Sequence, residues 1–190
     1  MYQLHFGDYE VTIAPSGRNE WYTPPSLIAR VARVLGTIDL DPASCALANE
    51  AVRARAFYTR EDDGLTRCWQ GRVYLNPPYS HEDERRGMGG AKREGPTALF
   101  VKKLLDEYRA GNVTEAILCV NADTCRSWFA PLWDFPICFV YEPVQFIRPG
   151  GEKEHHFFGT AFVYLGTNIQ SFIDVFHSIG AVALRIGEKP

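Results

Sequence analysis

Apolar residues along the chain fall into two periodicities. Leu27, Ile28, Val31, Val34 and Leu35 recur at helical spacing and Gly36 follows them, which predicts a helix entered through Thr23-Pro24-Pro25 with Thr23 as its cap. The same spacing predicts an amphipathic helix from Thr97 to Gly111, built on Leu99, Phe100, Leu104, Leu105 and Tyr108 and capped by Thr97. Shorter helices are expected over the alanine-rich stretch after Asp41, over Cys125 to Trp133 and over Asn168 to Ser178. Between them lie short runs of β-formers: Ile38 to Asp41, Ala56 to Thr59, Val73 to Leu75, Glu115 to Val120, Ile137 to Ile147, Phe157 to Leu165 and Ala181 to Ile186. Helix and strand alternate through most of the chain. That order predicts an α/β fold, a mostly parallel sheet with helices on both faces, closed by an antiparallel C-terminal hairpin. Residues 1–20, with candidate strands at 2–6 and 9–13, read as an arm on a single 1–190 domain, and the glycine-rich stretch 80–96 reads as a long flexible loop.

Charge and composition narrow the function classes. Net charge is −3, so contact with nucleic acid requires a local basic patch. The loop 80–96 offers one in Arg85, Arg86, Lys92 and Arg93, a candidate for phosphate contacts near the chemistry. Five cysteines without a C-x-x-C pair fit reduced thiols in a cytoplasmic setting, not a disulfide framework or a zinc site. His155 and His156 lack a third ligand at sensible spacing, so no metal is expected. No apolar run approaches the roughly 20 residues of a membrane span, and no membrane contact is expected.

The candidate chemistry sits in Arg72-Val73-Tyr74-Leu75-Asn76-Pro77-Pro78-Tyr79-Ser80. Val73, Tyr74 and Leu75 form strand; Pro77, lacking an N–H, ends it at Asn76. A carboxamide, two rigid prolines and an aromatic ring are thereby delivered to the carboxyl end of a strand, where open α/β sheets bind ligands. Pro77 and its effect on the preceding residue aim the Asn76 side-chain and nearby backbone carbonyls. Two acceptors beside the flat face of Tyr79 suit a planar, amide-like NH2 group: accepting its protons frees the nitrogen lone pair and faces the positive charge that grows on attack. At Ile38 to Asp41 another strand ends in a carboxylate, open to two uses: binding a cationic amine or ribose, or capping the following helix.

Asn76-Pro77-Pro78-Tyr79 resembles the catalytic motif of S-adenosylmethionine-dependent amino methyltransferases. Together with Glu20-Trp21-Tyr22-Thr23-Pro24, Asp39-Leu40-Asp41-Pro42-Ala43-Ser44 and Asp63-Gly64-Leu65…Trp69, it resembles the small phage-type DNA N6-adenine methyltransferases. The resemblance is dense between Asn19 and Ser80 and topological beyond. It implies a Rossmann-like class I methyltransferase fold, S-adenosylmethionine as methyl donor, and DNA as partner with the target adenine flipped out of the stack. It implies Tyr22, Thr23 and Pro24 packed over the methionine part of the cofactor, and Asp39 and Asp41, with Pro42 and Ser44, near its amino group. Asp63 and Leu65 would meet the cofactor adenine. Asn76 and Pro77 would accept from the target amino group, beside Pro78, with Tyr79 stacked on the base. The same motif serves transfer to cytosine, RNA adenine or protein glutamine, and a non-catalytic nucleic-acid-binding module is the alternative from another class. The chain departs from the family pattern in lacking a glycine after the first acidic strand: Pro42-Ala43-Ser44-Cys45 has none, and the next is Gly64. The oligomeric state is open, with a monomer allowed.

Overall fold

A computed structural model describes residues 2–6, 9–13, 20–79, 95–155 and 159–187. Two strands of the arm, β1 (Tyr2–Phe6) and β2 (Tyr9–Ile13), pair antiparallel as a separate ribbon. The body then runs α1 (Pro25–Leu35), β3 (Leu40–Asp41), α2 (Ala46–Val52), β4 (Ala56–Phe57), β5 (Gly71–Leu75), α3 (Pro96–Arg109), β6 (Val113–Asn121), β7 (Ile137–Val140), β8 (Gln145–Ile147), β9 (Lys153–His155), β10 (Thr160–Leu165), α4 (Ile169–Phe176) and β11 (Gly180–Ala183).

The central sheet has the order β11-β7-β10-β6-β5-β3-β4. Strands β4, β3, β5 and β6 are parallel; β10 is antiparallel to both β6 and β7, and β11 antiparallel to β7. The expected mixed sheet, mostly parallel with an antiparallel closing pair, is therefore present. Both faces are covered, so strands read as continuous apolar runs rather than alternating ones. Within β5 and β6, Val73, Leu75, Leu118 and Val120 pack toward Phe100, Val101, Leu104 and Leu105 of α3. Tyr74, Ile117 and Cys119 turn the other way, with Phe162 and Tyr164 of β10, onto α1 and α4. No helix among the described residues is long and apolar enough to cross a membrane.

Several local expectations are corrected. Thr23 does not cap α1: the cap position is Pro24 without a side-chain bond, and the Thr23 hydroxyl is drawn to Tyr74 instead. Thr97 lies inside α3, which begins after Gly95, and its hydroxyl donates to the Pro78 carbonyl at 2.9 Å. Asp41 is not a cap either, because α2 starts later, with the Cys45 sulfur accepting from Ala48 N–H. Cys125 to Trp133 forms turns and a 3-10 segment, Ala130–Asp134, in place of an α-helix; Pro131 removes an N–H from the middle of that stretch. The run from Ile137 does not continue to Ile147. Pro143 interrupts it, and β8 leaves the main sheet to pair with β9. The loop 80–94, with Arg85, Arg86, Lys92 and Arg93, and the His155 and His156 side chains lie outside the described residues.

Candidate active site at the carboxyl edge of the sheet

Leaving β5, Asn76 projects its amide nitrogen to the Trp21 carbonyl at 2.7 Å and toward Thr23 Oγ1 at 3.3 Å. A carbonyl can only accept, so this contact fixes which way the amide is turned. Its other end, Oδ1, is buried and has no partner among the described residues. Thr23 Oγ1 also shares a 2.6 Å hydrogen bond with the Tyr74 hydroxyl, fully inside the protein. The partner segment is itself clamped. Tyr22 and Ile147 of β8 exchange two backbone hydrogen bonds of 2.9 Å. The Arg148 guanidinium lies 3.6 Å from the centre of the Trp21 ring and pairs with Glu154. Thus the hairpin β8–β9 holds Trp21 to Thr23, and that segment holds Asn76.

After Asn76 the chain is rigid. Pro77 is buried, Pro78 exposed, and the Tyr79 hydroxyl donates to the Cys119 carbonyl at 3.1 Å. Burial pushes the Tyr74 and Tyr79 phenols well above their ordinary range, so both stay neutral.

Strand β3 delivers Asp41 to the same edge. It is 3% exposed, and Ala43 N–H donates to Oδ1 at 3.3 Å. Burial pushes its carboxyl up to about 7, against the pull of Ser44 and the Ala43 amide. No cation pairs with it among the described residues. Ser44 acts on Asp41 only through proximity, since its buried Oγ meets no partner at hydrogen-bond geometry. Cys45 and Glu20 converge on the Tyr22 hydroxyl at 3.3 and 2.8 Å, tying the loop after β3 to the segment before α1. Pro24 contributes its carbonyl to the first turn of α1.

The glycine missing after β3 is supplied across space. A Cβ on Gly64 would fall well inside van der Waals contact of the Pro42 carbonyl oxygen, so the 61–66 turn rests directly on the β3 loop. The Trp69 indole N–H, 2.8 Å from the Gly64 carbonyl, locks that turn from behind. Asp63 is exposed in the left-handed conformation, φ 51°, with Oδ1 accepting from Leu65 N–H; Leu65 is half-buried against the α3 side of the core.

Asp39 is not brought to this edge. Its carboxylate accepts from the Arg72 amide and side chain and from Arg55. Burial alone would raise it, but the Arg72 hydrogen bonds prevail and hold it below the ordinary carboxylate range. Gly71, at φ +76°, leaves the space that Asp39 fills. Arg72 precedes Asn76 by four residues, roughly 13 Å along the strand.

Three buried side-chain oxygens without a partner are found among the described residues: Ser44 Oγ, Asn76 Oδ1 and Thr160 Oγ1. All three stand at this one edge, since β10 runs opposite to β6 and begins where β6 ends. Buried polar groups are nearly always paired, so such a concentration makes this edge the candidate binding site. By contrast, a groove of about 700 Å3 between α1 and α2, lined by Ile28, Ala32, Val52 and Arg53 among others, contains none of these atoms. Asn76 and Ser44 are among the residues the sequence singles out as candidates; the Trp21 carbonyl, Tyr74 and Thr160 are not, because their placement at this edge depends on pairing between distant strands and carries no local signal.

A family model described as DNA N-6-adenine-methyltransferase (Dam) matches residues 11–163, from β2 through most of β10 and across all four motifs. The chain belongs to this family of DNA adenine methyltransferases. No curated protein and no solved structure matches it significantly.

Proposed function

We propose that this chain transfers a methyl group from S-adenosylmethionine to the N6 amino group of adenine in DNA, on a base turned out of the duplex. The observation that carries the reading is Asn76 Oδ1: a buried, unpartnered acceptor whose orientation is set by the Trp21 carbonyl. Family membership and the mixed sheet, compatible with a Rossmann-like methyltransferase fold, support it.

The edge suits the cofactor chemically. Asp41 is a buried carboxyl with no cation beside it among the described residues, and the cofactor carries an ammonium group. Ser44 adds an unused hydroxyl, and Gly64 brings the Asp63-Leu65 turn against the same loop. Tyr22, Thr23, Pro24, Asp41, Pro42, Ser44, Asp63 and Leu65 would hold it; Asp39 acts at a distance by tying the start of β3 to β5. When bound, S-adenosylmethionine supplies the methyl group from its sulfonium. The rest is done by the chain. Asn76 Oδ1 and the Pro77 segment accept hydrogen bonds from the target amino group, which withdraws its lone pair from the ring; as the nitrogen gains the methyl group it gives up one proton to solvent. Those carbonyl dipoles then oppose the positive charge developing on nitrogen, already oriented before the reaction begins. Tyr79, anchored by its hydroxyl, presents its ring to the base. Arg85, Arg86, Lys92 and Arg93 are proposed phosphate contacts.

Incubation with labelled cofactor and unmethylated plasmid DNA, followed by digestion, identifies the product. N6-methyladenine is expected; label on cytosine, or on RNA or protein but not DNA, would overturn the assignment.

Asp41 makes the reading pH-dependent. Its carboxyl titrates near 7 when folded and near 3.8 when exposed, so the folded chain binds the proton more tightly. Asp41's own contribution to the stability of the cofactor-free protein is therefore fully present below about pH 4, is lost as pH rises from there through about 7, and stays lost above. Cofactor affinity should run the other way and rise through pH 7, as the ionised carboxylate meets the ammonium. Denaturation and binding titrations between pH 5 and 8 check both, and Asp41→Asn should flatten both; slopes that persist in that variant count against Asp41.

A further inference from the structure

Asn76 and Ser44 find uses in the proposed reaction, but Thr160 Oγ1, the third unpartnered buried oxygen, finds none. The side chain is 4% exposed at the first position of β10, directly opposite Asn121 at the end of β6. Directly opposed residues share a face of a sheet, as do residues two apart in a strand. Thr160 and Asn121 therefore face the same way as Phe162 and Cys119, toward α1 and α4. Tyr74 lies on that face too, and Asn76 is two residues beyond it.

Across the edge, the groups stand in strand order: Asp41 on β3, Asn76 after β5, Asn121 on β6 and Thr160 on β10. The cofactor-type residues lie on the β3 side of Asn76 and Thr160 on the opposite side. Asn76 holds the atom that receives the methyl group, so what lies beyond it, away from the donor, is space for the acceptor base. Thr160 stands two strands from Asn76, about 10 Å across the sheet, and two residues further along it, since Leu75 pairs with Leu118 and Thr160 with Asn121; the two positions are about 12 Å apart. That span is on the scale of one planar ring system reached by a side-chain hydrogen bond from each end.

We propose that the Thr160 hydroxyl orients the target base, donating to a ring nitrogen while Asn76 Oδ1 accepts from the exocyclic amino group. This rests on the methyltransferase reading of the same edge. Buried hydroxyls that serve the fold are nearly always paired with a protein group, and among the described residues this one is not. Unpaired and buried, it weakens the free fold, and binding the base satisfies it.

Thr160→Val keeps the shape and removes only the hydroxyl, so stability and function should part ways. Its melting midpoint is expected to equal or exceed that of the wild type, and its cofactor affinity to be unchanged. Its kcat/KM with unmethylated plasmid DNA should fall about tenfold, the loss of one hydrogen bond to the substrate, while Thr160→Ser recovers most of it. A Val variant within twofold of an active wild type overturns the proposal, as does a lowered melting midpoint, which would reveal a structural partner. If the wild type itself methylates no adenine, the parent reading fails and takes this one with it; that outcome is read on the wild type alone.

Discussion

Asn76→Ala should reduce methyl transfer by about 100- to 1000-fold, the scale expected when an oriented group facing transition-state charge is removed. Cofactor binding should stay within a few-fold of wild type. The substitution deletes the unpartnered Oδ1 and also the amide nitrogen that meets the Trp21 carbonyl and Thr23. Losing those bonds costs about 1 kcal/mol of stability, so the assay belongs well below the melting transition. Asn76→Asp separates the two effects. It keeps an acceptor but sets a carboxylate oxygen against the Trp21 carbonyl, and an intermediate rate is expected. Single-turnover transfer at saturating cofactor and DNA makes the comparison; full activity in Asn76→Ala would sink the assignment of this strand end as the reaction centre.

Gly64→Ala is expected to be the most damaging small substitution outside the Asn76 motif. The new Cβ meets backbone, the Pro42 carbonyl, rather than a side chain able to swing aside. Nor can the turn retreat freely, because Trp69 is bonded to the Gly64 carbonyl. Overpacking of this kind costs about 1–3 kcal/mol, a fall of several degrees in melting midpoint for a chain of this size. The displaced surface is the β3 loop carrying Asp41 and Ser44, so cofactor affinity should fall about tenfold or more alongside it. Gly150→Ala is the matched control, since a Cβ there meets nothing within 4 Å. Calorimetric titration at low temperature reads both variants; unimpaired cofactor binding in Gly64→Ala would mean that the contact between turn and loop does not shape the site.

The hairpin β8–β9 has a part in this arrangement that its sequence does not announce. Arg148 and Glu154 look like ordinary surface charges on a polar tip. In the fold they brace Trp21, whose carbonyl sets the Asn76 amide. A bond of this kind joins residues 55 positions apart in the chain.

Sequence by itself determined whatever depends on neighbouring residues. Apolar periodicity placed α1, α3, α4 and the strands, and their alternation implied the mixed sheet. Pro77 ended β5, and with it came Asn76 and Tyr79 as candidate chemistry, because a proline acts on its own backbone wherever the fold carries it. Tertiary structure decided where each polar group finds a partner. Thr23 and Thr97 carry a cap's local signal, yet Tyr74 and Pro78 claim their hydroxyls. Asp39 and Asp41 look equivalent two residues apart, yet the first is held by Arg72 and Arg55 while burial leaves the second without a cation. The glycine absent after β3 arrives from Gly64, and the lone hydroxyl of Thr160 stands out only once β10 is registered against β6. A hydrogen bond forms with whatever is nearest in space, and strand register sets that proximity across tens of residues.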